Sequence, residues 1–272
     1  MWVWYSLGSG FFNALWTSQI KSKVQNEGAL TFTASIRWGV VVILLPFVLW
    51  QCQSFSARWW LYTILSGICE SLGIWALAKG ARKDYYSTFA LSNITPLFTA
   101  ILAVAFLPEK VDKLLWVGVI TVIAGILWLY YRGHWSWWET ASALIGAFSG
   151  LFSKLVIAES GPIIHACFSF MVGALFCSAF SLRKHGRENA IFILKNVWTY
   201  RILIIGSALA TYCFYQAVAL GPLSRMSPLV RVNMIVGFLL SVFHLKEKQD
   251  WQGRGFGAVV LLSGIIMIIW NS

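Results

Sequence analysis

Apolar residues run along this chain in stretches of about twenty, each closed by a charge, a Gly or a Pro, and neither the alternation of a half-buried strand nor the one-sided stripe of a soluble helix dominates. A helix needs about 20 apolar residues to cross the hydrocarbon core. The pattern predicts ten such helices, approximately Trp2–Ile20, Leu30–Trp50, Trp59–Lys79, Tyr85–Leu107, Leu114–Tyr131, Trp138–Ile157, Pro162–Leu182, Tyr200–Leu220, Leu223–Leu245 and Gly255–Trp270. So little chain is left for loops that no extramembrane domain fits, and the activity is expected inside the membrane. The first apolar stretch starts at Met1 without a basic leader, so no cleavable signal peptide is expected. Tryptophans at predicted span edges, Trp59-Trp60 and Trp135-Ser136-Trp137-Trp138, suit the aromatic belt at the membrane interface.

Similar segments recur at nearly constant separation. Gly10-Phe11-Phe12-Asn13-Ala14-Leu15-Trp16-Thr17 resembles Gly146-Ala147-Phe148-Ser149-Gly150-Leu151-Phe152-Ser153, 136 residues on. Leu107-Pro108-Glu109-Lys110 matches Leu245-Lys246-Glu247-Lys248 at 138, and Gly118 and Gly125 match Gly257 and Gly264 at 139. The chain therefore divides into two five-helix repeats, residues 1–133 and 134–272. Five is odd, so the second repeat enters the membrane from the opposite side. The expected fold is all-α: a polytopic membrane protein of ten transmembrane helices in two inverted five-helix repeats, an arrangement that secondary transporters use to build a midplane site open to either side in turn. Pro96 and Pro228 fall inside the fourth and ninth spans. A Pro there frees a carbonyl and breaks the helical ladder, a feature of cavity-lining helices, though Pro is also simply commoner in membrane helices.

Composition narrows the function classes. Of 272 residues, 58% are hydrophobic and 11% charged, against roughly 25% charged in soluble domains. The net charge of +11 would suggest nucleic acid in a soluble protein, but these cations sit in short connections between apolar runs, so no nucleic-acid partner is expected. Cys52, Cys69, Cys167, Cys177 and Cys213 are scattered and read as packing residues. Neither His165 nor His244 has a second ligand at helical spacing, so no metal and no cofactor are expected. An enzyme would need clustered His, Asp, Glu or Cys, which the spacing does not offer. The odd-numbered loops hold Lys21, Lys23, Lys79, Arg82, Lys83, Arg132, Arg183, Lys184, Arg187, Lys195, Arg201, Lys246, Lys248 and Arg254, and the even-numbered ones only Arg58, Lys110, Lys113 and Arg225. The positive-inside rule then places both termini outside the cytoplasm.

Polar residues inside spans carry the candidate chemistry, because a charge at a span centre costs about 2.5–3.5 kcal/mol on insertion scales. Glu70, midway along the third span, is either a proton-coupling site and partner for a cationic group or an ion-pair partner of Arg37 or Arg231. Arg231 stands at the repeat position of Asn93 (93 + 138 = 231). Its planar fork suits a carboxylate or phosphate, the alternative being a structural bridge to Glu70. Asn93 and Asn233 extend that group. Arg37 reads as structural or snorkelling, and Lys154 as snorkelling beside Glu159. Trp16, Trp38, Trp75, Tyr212, Tyr215 and Gln216 lie at depths from which they would line a cavity, each with helix packing or lipid contact as its alternative role.

Taken together, the ten spans in two halves, Arg37 in Ser35-Ile36-Arg37-Trp38, Pro96 in Thr95-Pro96-Leu97-Phe98, and Glu109 and Glu247 closing the fourth and ninth spans resemble the drug/metabolite transporter superfamily, EamA-like branch, over essentially the whole chain. The resemblance implies a carrier or exporter of small solutes such as amino acids, nucleotide derivatives, sugars or quaternary amines, and cytoplasmic termini, in conflict with the loop charges. Arg231 and Asn233 depart from the pattern of the fourth span, so no family substrate carries over. The expected function is secondary transport of a small organic metabolite, an amino acid or other zwitterionic or amine solute, by alternating access with possible proton coupling through Glu70. The alternative is a flippase for an amphipathic or lipid-linked substrate. Expected partners are the solute and the bilayer, in the inner or plasma membrane of a prokaryotic cell, as a monomer or homodimer.

Overall fold

A computed structural model describes residues 1–17, 29–49, 54–81, 90–130, 137–243 and 251–270, with backbone alone for 16–17, 29, 78, 80–81, 182–199, 241, 243 and 251–252. The described residues form eleven α-helices and no strand: α1 (Trp2–Thr17), α2 (Ala29–Leu49), α3 (Ala57–Ala81), α4 (Thr95–Phe106), α5 (Lys113–Tyr130), α6 (Trp137–Ser160), α7 (Pro162–Thr199), α8 (Arg201–Leu220), α9 (Leu223–Leu229), α10 (Val232–Phe243) and α11 (Trp251–Trp270). Eight helical stretches among them are long and apolar enough to cross a membrane, one of them α9 and α10 taken together as Leu223–Leu240. The protein is therefore a multi-pass membrane protein. The apolar stretch Ala90–Phe106 is shorter, and α1 has 16 residues before the description stops.

The ninth expected span is two helices. α9 ends at Leu229 and α10 starts at Val232, with Val230 and Arg231 in a turn. Pro228 has no N–H for the Ser224 carbonyl. Beyond it the chain tightens into i→i+3 bonds, Arg231 N to Pro228 O at 3.0 Å and Met234 N to Arg231 O at 2.9 Å. The fourth span breaks likewise, with residues 90–92 helical, Asn93 and Ile94 in a turn, and α4 restarting with Pro96 in its first turn. Pro96 has no N–H for the Ser92 carbonyl, which accepts from the Thr95 hydroxyl at 2.7 Å.

Helices α5 and α11 cross antiparallel and almost touch. A methyl on Gly257 would lie 2.9 Å from Leu129 N, and one on Gly264 2.8 Å from Val122 N. Without hydrophobic drive between helices in lipid, such close approach through glycine is what gives van der Waals adhesion. Other neighbours are α2 with α7, α3 with α6 and α7, and α1 with α8. One apolar core joins Ile36, Val40, Leu151, Phe170 and Ile204; a second joins Val122, Ile126, Leu129, Met234 and Leu261. Val42, Phe47, Ile120, Ile202, Val259 and Ile266 face outward, as a lipid-facing surface requires.

The seventh span, expected at Pro162–Leu182, is the apolar part of α7, Pro162–Ser181; the helix itself continues to Thr199, its continuation containing helix formers and only one Gly. Two expectations need correction. Trp59 is not an interfacial residue: it is fully buried and stacked on Phe55 at 4.1 Å, while its neighbour Trp60 is exposed. Lys154 does not snorkel beside Glu159. It donates to the carbonyls of Val218 and Gly221, at 2.7 and 2.8 Å, because Pro222 and the end of α8 leave them without backbone partners. Glu159 instead accepts from Ser56 N and Oγ at the start of α3. Cys69, Cys167, Cys177 and Cys213 are free thiols, and Cys52 lies outside the described residues.

Candidate functional site

On α3, Thr63, Ser66 and Glu70 recur at intervals of three and four, so they share one face. On α7, His165, Ser169 and Gly173 do the same. The two stripes meet. Thr63 Oγ1 lies 3.2 Å from His165 Nδ1, and Ser66 Oγ lies 3.4 Å from Ser169 Oγ and 2.8 Å from Ser153 Oγ of α6. Tyr215 of α8 closes the seam, donating to Ser169 Oγ at 3.5 Å and packing edge-on against the His165 ring. Glu70 ends the stripe, and Arg37 of α2 reaches it: Arg37 Nη1 donates to Glu70 Oε2 at 3.5 Å. Gly173 makes room for the guanidinium, which lies over the Phe170 ring at 4.8 Å. Of the two partners for Glu70 that the sequence left open, the structure pairs it with Arg37.

That pair is loose. Charge-assisted N–H···O bonds measure about 2.7–2.9 Å, well short of 3.5 Å. Arg37 is 1% exposed and Glu70 28%, so the cation is enclosed and the carboxylate is not. Among the described residues Arg37 Nε and Nη2 are buried without a hydrogen-bond partner, although buried polar groups are nearly always paired.

The second polar centre lies where the two helix breaks meet. Arg231 Nη1 donates to Asn93 Oδ1, joining the turn before α4 to the turn between α9 and α10. Thr99 and Ser227 hydroxyls bridge the same helices at 3.4 Å. Gly10 of α1 presses against the Val230 carbonyl, where no side chain would fit. Arg231 Nε and the buried Asn233 Oδ1 have no partner, and among the described residues no carboxylate lies within 4 Å of Arg231. Pro96 and Pro228 flank the two turns rather than occupying them.

The described aromatic residues named from the sequence each have partners of their own. Trp38 Nε1 donates to Ser178 of α7 at 3.0 Å. Trp75 packs edge-on against Trp138, and both hold the Lys79 ammonium, at 4.2 and 4.7 Å. Tyr212 meets Tyr5 edge-on, while Gln216 is half-buried beside Tyr215. The Trp16 side chain, His244 and Glu247 lie outside the described residues, as do Lys21, Lys23, Arg82, Lys83, Arg132, Lys246 and Lys248 from the loop-charge count.

Sequence reasoning missed the hydroxyl seam, although Thr63/Ser66/Glu70 and His165/Ser169/Gly173 at helical spacing were a readable signal. It named Glu109 as the end of the fourth span but missed its role: the carboxylate accepts from Leu223 N at 2.7 Å and from Ser224 N and Oγ at 3.0 and 2.7 Å, capping α9 from outside.

A protein of known crystal structure superposes on 98% of this chain and 99% of its own with a TM-score of 0.75 at 13% identity, a likeness of fold. An uncharacterized transporter of Bacillus subtilis (strain 168), YetK, is 23% identical over 192 residues, covering 66% of this chain and 58% of that protein's length. The model of the EamA-like transporter family matches twice, over residues 1–131 and again over 135–270. With nearly the whole length matched, and with apolar helices interrupted at buried polar groups, the chain belongs to the EamA-like transporter family, whose members move solutes across membranes.

Proposed function

We propose that this protein is a secondary carrier of a small organic solute bearing an anionic group, such as an amino acid. The observation that carries the reading is Arg231: a cation at the junction of two broken helices, joined to Asn93, with its Nε and the neighbouring Asn233 Oδ1 unpartnered and no carboxylate beside it among the described residues. A solute carboxylate would supply the missing charge and accept from the free edge of the fork.

Alternating access through two inverted five-helix repeats, ten transmembrane helices in all, is supported by three features. α5 and α11 are antiparallel although they carry the same glycine spacing. The helix breaks at residues 93–94 and 230–231 fall 137 positions apart, close to the repeat offset. The family model matches each half separately. Glu70 is the coupling group in this reading: it is half-exposed and loosely held, so it can exchange protons with water. The carrier works in the cell membrane, with the basic loops on the cytoplasmic face.

Thermal stabilisation of the purified protein by amino acids, amines, nucleobases and lysolipids identifies the solute class, since a ligand of the folded state raises the melting temperature; stabilisation by lysolipids alone would favour a flippase. Arg231→Ala should then weaken the stabilising solute by about 2–5 kcal/mol and its analogue without the anionic group far less. Equal losses would make Arg231 structural. Glu70→Gln should abolish pH-driven uptake into liposomes and leave counterflow exchange; unchanged pH-driven uptake removes the coupling role.

A further inference from the structure

Arg37 is enclosed, yet Nη1 alone of its guanidinium nitrogens reaches an acceptor, and that contact is long. Its stem and plane are fixed by Phe170 on one side and by the absence of a side chain at Gly173 on another, where a methyl would stand 2.5 Å from Nη1. Nothing in this packing holds Glu70 in turn: its hydrogen bond to Arg37 is its only one among the described residues, and 28% of its side chain is open. The titratable groups facing Glu70 are Arg37 from α2, Cys177 from α7 and Tyr215 from α8, while α6 presents serine hydroxyls to α3. A thiol and a phenol carry no charge at neutral pH, so among the described residues Arg37 is the one charged partner facing Glu70.

We infer that Arg37 is an exchange centre for which an anionic oxygen group of the solute and the Glu70 carboxylate compete, so that solute and proton bind together. The inference rests on the proton role proposed for Glu70. Charge balance drives it. With Glu70 on Arg37 the enclosed site is neutral. When a solute carboxylate takes the free Nε/Nη2 edge of Arg37, a still-ionised Glu70 leaves one surplus negative charge in a poorly solvated place. Glu70 relieves it by forming one O–H bond, the proton coming from water at its exposed face. The site is neutral again, now holding arginine, solute anion and a protonated acid. Binding of anion and proton is therefore cooperative, and by linkage the proton tightens anion binding by the same factor. Such a carrier moves one proton with each anionic group in the same direction.

Formate, the smallest carboxylate, is a sufficient probe. Added to the purified full-length protein in detergent, in weakly buffered solution at neutral pH with an indicator dye, saturating formate should draw up to about one proton per molecule from solution. Neutral formamide should draw none. Glu70→Gln and Arg37→Gln should both be silent. Arg37→Lys, which keeps the charge and loses the fork, should retain the uptake with formate affinity lower by roughly tenfold, and this variant decides the matter if Arg37→Gln does not fold. No uptake by the unmodified protein, full uptake by Arg37→Gln, or unchanged formate affinity in Arg37→Lys overturns the exchange. The last two outcomes leave Glu70 as a proton site, and the liposome assay of Glu70→Gln tests that role separately.

Discussion

At the Gly221-Pro222 elbow between α8 and α9, two charged side chains from elsewhere in the chain find well-made contacts: Lys154 donates to the last carbonyls of α8 within 2.8 Å, and Glu109 takes two N–H groups and a hydroxyl at the start of α9 within 3.0 Å. Deeper in the helices, among the described residues, Arg37 reaches one oxygen at 3.5 Å and Arg231 only the Asn93 amide. Both pairs of residues are costly to embed, so the contrast lies in what each charge receives in return. The elbow charges complete helix ends whose orphaned groups have the opposite polarity, and their energetics close within the protein. The arginine donors are left open within the described residues, and in the proposed reading a solute completes them.

Substitution can break that distinction, starting at the elbow. Glu109→Ala removes three hydrogen bonds to a carboxylate at a half-buried site, where a bond to a charged group contributes about 1.5–3 kcal/mol net, and less where water can take its place. A net loss of about 2–4 kcal/mol is expected, read as a melting temperature lower by roughly 2–4 °C per kcal/mol in detergent. Glu109→Gln, which keeps one acceptor oxygen, should lose about half as much. A change below about 1 kcal/mol for Glu109→Ala would mean that water caps α9 equally well, and the elbow would no longer be a point of attachment.

The two sides of the comparison were unequally legible from sequence. Glu70 and Arg231 stand out because any charge inside a twenty-residue apolar run is conspicuous, and the repeat offset relates Arg231 to Asn93 before any coordinates exist. Lys154 also stands out, but its carbonyl partners belong to α8, more than sixty residues away. No local rule says that α8 ends beside it rather than in the interface, so snorkelling was the natural reading. The helix breaks were legible to within two residues on opposite sides of their prolines. Pro96 opens the helix after one break and Pro228 sits before the other, because a proline is tolerated in a first turn and disrupts the ladder elsewhere. The aromatic residues were less legible for a different reason. Depth along a helix is readable, whereas the direction a ring faces depends on which helix lies beside it, and Trp75 finds Trp138 and Lys79.

The contrast sharpens when the same change is made on both sides. Lys154→Met keeps an unbranched stem and removes two short hydrogen bonds, stranding the Val218 and Gly221 carbonyls, so it should cost about 1–3 kcal/mol. Arg37→Met also keeps a stem of similar volume, now against Phe170, but removes one long contact and two buried unpaired donors. Replacing a whole buried ion pair by apolar groups of similar volume is often neutral or stabilising, whereas removing one partner strands a charge. Here Glu70, being partly exposed, can take from water the proton that the proposed exchange gives it, so no unpaired charge stays behind. The melting temperature of Arg37→Met should therefore stay within about 1 kcal/mol of the unmodified protein, while transport of the solute is lost. Equal destabilisation by the two substitutions would place Arg37 with Lys154 among the groups that hold the fold, because only an arginine that already contributes to the folded state can be missed by it in the absence of solute.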